Sequence, residues 1–120
     1  MKLAVPFVCA MMVAGAAWGQ ASGAVSTTGG QLRWIDKVTG ATDDVNLSRG
    51  QSVTFGFLTL QMDDCRAPAN DPTSDAFAHL TINDTRTSVP VFSGWMIASS
   101  PAISALEHPR YDVWVLSCTN

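Results

Sequence analysis

The sequence predicts an all-β domain, a β-sandwich or a partly open β-barrel of six to eight short strands with one short helix. Three observations carry this. Short apolar segments alternate with turn signals from residue 31 onward, which is the spacing of strands rather than of long helices. The stretch SVTFGFLTLQMDDC places apolar residues at every second position, the period of a half-buried strand. Two late cysteines, Cys65 and Cys118, are placed to tie distant strands together.

Taken in order, QLRWIDK reads as the first strand, Thr39-Gly40 as a turn, Asp43 to Leu47 as a second strand and Arg49-Gly50 as another turn. In the next segment Val53, Phe55 and Phe57 alternate, and then Leu58, Leu60 and Met62 alternate in the opposite phase. Gly56 stands just before the slip, which predicts a β-bulge or a bend between two strands. By strict alternation Cys65 would share a face with Asp63 rather than with Met62, so the strand must end or bulge before it. RAPANDPTSD is an irregular loop by composition. AFAHLTIND is a strand with Ala76, Ala78, Leu80 and Ile82 on one face and Phe77, His79 and Thr81 on the other.

Asp84 to Ser88 form a polar turn. VPVFSGWMIA is apolar on both faces, which suits a central strand, with Pro90 at its start or at an edge. Ser100-Pro101 has the composition of a helix start, serine capping and proline in the first helical position. Ala102 to Glu107 would give one to two turns before Pro109 stops them. YDVWVLSC closes the chain as a strand, with Val113 and Val115 alternating against Trp114 and Leu116.

The N-terminus predicts export. Lys2 is followed by about 15 uncharged, mostly apolar residues to Ala17, shorter than the roughly 20 a spanning helix needs. Ala17-Trp18-Gly19 then supplies small residues at the positions a signal peptidase reads. Residues 1–19 are thus expected as a signal peptide, cleaved after Gly19 or after Ala21. Residues 20–30, glycine-rich and polar, are expected as a flexible tail, and residues 31–120 as a single domain. Cys9 lies too early for a lipidated cysteine, so the mature chain carries no expected membrane span or anchor. In an exported domain Cys65 and Cys118 most simply form one disulfide, since two cysteines and two distant histidines make no metal-site spacing.

Without Lys2 the chain keeps six Lys and Arg against ten Asp and Glu, a net charge of −4. Arg33, Arg49, Arg66, Arg86 and Arg110 are scattered singly, which argues against nucleic acid as a partner. No cofactor motif and no metal motif is present. The pairs Asp43-Asp44 and Asp63-Asp64 lack the calcium-loop pattern, and adjacent acids on a strand point opposite ways, so both read as solvated turns. Ser99, Ser100 and His108 are the residues on which a hydrolase would have to be built, yet they lie outside any nucleophile motif. Trp95, Met96, His108, Tyr111 and Trp114 form the candidate ligand or partner surface, with core packing as the competing use of the same large side chains.

LRWIDKVTG, GQSVTFGFLTLQMDDCR and FSGWMIASSPAISALEHPRYDVWVLSC together resemble a family of small exported proteins of alphaproteobacteria, the domain of unknown function DUF2155. The similarity spans nearly all of residues 31–118. Cys65 and Cys118 match the two cysteine positions of the family, while His79 departs from the apolar or aromatic residue expected there. The resemblance implies a periplasmic location in a Gram-negative envelope and no established activity. Three functions follow as expectations: a non-enzymatic domain binding an unknown envelope protein or aiding assembly; a barrel holding a small apolar ligand or lipid between Trp95 and Met96; and a hydrolase using Ser99, Ser100 and His108.

Overall fold

A computed structural model describes residues 23–120; the expected signal peptide, residues 1–19, lies outside the described residues, as do residues 20–22. The described chain forms eight strands: β1 (Ala24–Ser26), β2 (Gly29–Asp36), β3 (Thr42–Ser48), β4 (Ser52–Phe55), β5 (Leu58–Pro68), β6 (Phe77–Asp84), β7 (Pro90–Ile97) and β8 (Tyr111–Thr119). They make two antiparallel sheets. Sheet A runs β1-β5-β6-β7, with β4 also paired to β5, and sheet B runs β3-β2-β8. β4 and β1 share one edge of β5, β4 along Leu58 to Gln61 and β1 along Arg66 to Pro68.

The two sheets pack face to face on the alternating apolar positions. Leu58, Leu60 and Met62 of β5, Ala78, Leu80 and Ile82 of β6, Leu32 of β2 and Tyr111, Val113 and Val115 of β8 form one buried cluster. Removing these side chains from water is the main force holding the layers together. A disulfide between Cys65 and Cys118 joins β5 of sheet A to β8 of sheet B, closing a separation of 53 residues.

The phase slip at Phe57-Leu58 is a bend between two strands. Gly56 has φ +55° and, with Phe57, forms the two-residue turn between β4 and β5, leaving Phe55 opposite Leu58. Glycine as the first central residue is what such a hairpin turn requires. A side chain here would also collide with the Tyr111 hydroxyl.

Three expectations need correction. The segment from Gly23 to Gly30 is not a loose tail: β1 pairs with β5, the buried Thr27 donates its amide to Cys65 O at 2.8 Å, and Gly29 and Gly30 are buried in β2. Its glycines serve close approach, since a Cβ on Gly30 would stand 2.8 Å from Cys65 Sγ. The helix after Ser100 is a single turn, closed by Ile103 N–H donating to Ser100 O at 3.1 Å. So short a segment cannot sustain a helix alone, and Leu106 and His108, both buried, draw the backbone inward instead. Finally, β7 is an edge strand of sheet A, not a central one. Its apolar outward residues remain partly exposed, and Pro90 stands at its first position.

Candidate functional site

The best-built surface cluster lies on the outer face of sheet A and originates in an irregularity of β5. Met62 pairs with Leu80 and Asp64 with His79, so Asp63 is an extra residue in the ladder. Such a bulge shifts the side-chain phase. Cys65 therefore turns inward to its disulfide at 0% exposure, and Asp63 and Asp64 both come to the outer face. The reading of this pair as acids pointing opposite ways is thereby overturned, while the bulge expected before Cys65 is present.

On that face β6 contributes Phe77, His79 and Thr81, and β7 sets Ile97, Trp95 and Ser93 directly opposite them. Asp63 Oδ2 accepts from the Thr81 hydroxyl at 2.7 Å and from His79 Nδ1 at 2.8 Å. A carboxylate can only accept, so the His79 proton sits on Nδ1 and the ring orientation is fixed. The His79 ring meets Trp95 edge-on, centroids 5.1 Å apart, and the Arg66 guanidinium lies over the Trp95 ring at 5.1 Å. Arg66 is itself held by Asp64 at 2.8 Å, with Ser26 and Arg49 as further Asp64 partners. Burial pushes the Asp64 carboxyl up, but hydrogen bonds from Arg66 and Ser26 outweigh it and leave the group below its ordinary value.

The consequence is a tryptophan that is 39% exposed yet held on two sides. Ala24, Arg66, Phe77, Trp95 and Ile97 line a groove of about 250 Å³ beside it, open to solvent. Preordered aromatic and arginine side chains are the common anchors of protein interfaces, because little side-chain entropy remains to be lost on binding.

The five residues expected to share a ligand or partner surface do not share one. Trp95 and Trp114 are exposed on the outer faces of different sheets, and Trp114 Nε1 donates to Asp112 at 3.0 Å. Met96, His108 and Tyr111 are buried. Neighbours on a strand face opposite ways, so Trp95 and Met96 cannot line one cavity, and the barrel reading loses its proposed lining. His79, set aside in the sequence, belongs to the site. Its signal was the phase break between Met62 and Cys65, which predicted a strand end or a bulge there and so left the faces of the two aspartates open.

His108 instead closes the end of the sandwich. Its Nδ1 accepts the backbone amides of Arg110 and Tyr111 at 3.1 and 3.2 Å, which places the proton on Nε2, and Nε2 donates to Asp84 at 3.0 Å. Asp84, 3% exposed, also accepts two side-chain bonds from Arg86 at 2.7 and 2.9 Å. These donors, Arg86 before His108, hold the Asp84 carboxyl well below the usual carboxylate range. Both ring nitrogens are thus engaged away from Ser99 and Ser100. The Ser99 hydroxyl donates to Asp75 at 2.7 Å, so the three residues do not assemble as a nucleophile and base.

No helix among the described residues is long and apolar enough to cross a membrane. No solved structure matches the chain. Uncharacterized protein RP359 of Rickettsia prowazekii (strain Madrid E) is 26% identical over 94 residues, covering 76% of this chain and 61% of that protein. The chain therefore spans about three fifths of the relative's length. The cysteines that join the sheets and the bulge that aims them lie within residues 30–118, and that whole span matches a single family profile. The chain belongs to the family described as "Uncharacterized protein conserved in bacteria (DUF2155)".

Proposed function

We propose that this chain is a non-enzymatic, exported domain that binds another protein of the bacterial envelope through the outer face of sheet A. The observation that carries the reading is Trp95. A large aromatic ring left 39% exposed is clamped by Arg66 and His79, and an apolar groove lies alongside it. A bound protein would cover this apolar area and keep the Asp63, Asp64 and Arg66 charges at its rim, which is the usual anatomy of an interface. The apolar N-terminal run ending in small residues supports export.

Cross-linking in native envelopes, comparing the unmodified chain with Trp95→Ala, tests this. Because Trp95 makes surface contacts and lies outside the core, the variant is expected to melt close to the parent. It is expected to lose a defined protein adduct that the parent forms. An adduct of equal yield in both would contradict the reading.

A further inference from the structure

We propose that the disulfide exchanges with outside thiols at one sulfur only, that of Cys118, reached in the folded chain through a groove that favours a cationic thiol. This inference concerns the bond between the sheets and stands apart from the partner proposed above. The two cysteines are unequal. Cys65 is 0% exposed, and β2 lies so close over it that a Cβ on Gly30 would stand 2.8 Å from Cys65 Sγ. Cys118, near the end of β8, is partly exposed. With Leu116 of the same strand, residues 72–75 of the loop after β5, and Ala98 and Ser99 after β7, it lines a groove of about 320 Å³. Exchange requires a thiolate to touch the sulfur it attacks, so access decides which of the two is struck.

The step conserves electrons, because one disulfide replaces another. An outside thiolate forms a bond to Cys118 Sγ, the bond between Cys118 and Cys65 breaks, and the electron pair leaves on Cys65 Sγ. Cys65 stands among Met62, Ala78 and the rest of the buried cluster, where a thiolate is disfavoured, so its sulfur takes a proton. A neutral Cys65 thiol returns slowly to the mixed disulfide. A second outside thiol then completes reduction by attacking the mixed disulfide and releasing Cys118.

Charge selects the thiol. Among the described residues Asp75 is the one charged side chain lining the groove. All three of its hydrogen bonds come from uncharged donors: the Ala76 amide at 2.8 Å, the Ser99 amide at 3.0 Å and the Ser99 hydroxyl at 2.7 Å. Burial pushes the Asp75 carboxyl up, but these bonds outweigh it and leave the group below its ordinary value, hence ionised at neutral pH. An anionic thiol entering this groove meets a like charge, whereas an ammonium beside the thiol is attracted.

Kinetic trapping on the oxidised chain tests the proposal, with cysteamine as the cationic thiol and mercaptoacetate as the anionic one. Each rate is taken per thiolate and divided by that thiol's rate with an uncharged small-molecule disulfide. Acid quenching, alkylation and peptide mass spectrometry then locate the adduct. The expected products carry cysteamine on Cys118 and the alkyl group on Cys65. The exchange rate is expected to be first order in thiol and unchanged by urea below the unfolding transition, since the folded chain reacts. Cysteamine is expected to be severalfold faster than mercaptoacetate, with the difference shrinking in salt and in Asp75→Asn. Adduct on Cys65, a rate rising with urea in step with global unfolding, or equal rates for the two thiols would overturn the proposal.

Discussion

Asp36 and Asp84 show how single residues hold the ends of this sandwich. Each is a nearly buried carboxylate at a strand end, and each keeps its charge through a guanidinium. Arg110 donates to Asp36 at 3.0 to 3.3 Å and, with burial opposing it and the Val38 and Thr39 amides assisting, lowers the Asp36 pKa to about 2. Arg86 and His108 act likewise on Asp84. A carboxyl lowered on folding adds stability above its unfolded value, about 4, and loses it as pH falls through the folded value. The melting temperature is therefore expected to stay level from neutral pH down to about 4 and to fall toward about 2. Asp36→Asn should melt lower at neutral pH and show a shallower acid limb. An acid limb as steep as the parent's would show that Asp36 is not the group responsible. None of this was legible beforehand, because His108 reaches Asp84 across 24 residues and Arg110 reaches Asp36 across 74.

At the scale of elements, periodicity revealed most of the strands and missed what their neighbours impose. The alternation in Leu58 to Met62, Ala76 to Ile82 and Val113 to Val115 gave their buried faces correctly, since period two is a local property of the backbone. The placement of β7 at an edge, the loss of the helix after Ser100 and the order in Gly23 to Gly30 depend on pairing and packing over long distances, which local composition does not carry. Glycine illustrates the difficulty, because one residue type signals both flexibility and tight approach. At Gly30 it is the second. A Cβ there would meet Cys65 Sγ and Ser117 O, each at 2.8 Å, and the disulfide and backbone leave little room to yield. Gly30→Val is expected to cost about 1–3 kcal/mol, as overpacking of a filled interior does. Chemical denaturation measures it, and a parent-like midpoint would mean that β2 can move off the disulfide.

On the scale of the whole molecule, two small sheets enclose one core, and a domain of this size gains limited stability from burial alone. The Cys65–Cys118 bond spans sheet A and sheet B, so opening it frees the layers at the point where β5 bulges. Loop-closure entropy assigns such a cross-link about 4 kcal/mol. Cys118→Ser is expected to lower the melting temperature of the oxidised protein and to abolish its sensitivity to reductant. The bond also bears on the proposed export, because disulfides persist chiefly in oxidising compartments. Alkylation followed by mass spectrometry, on chain freshly isolated from its native cell, tests both together. The account expects Cys65 and Cys118 linked to each other and unlabelled; both sulfurs recovered as alkylated thiols would contradict it.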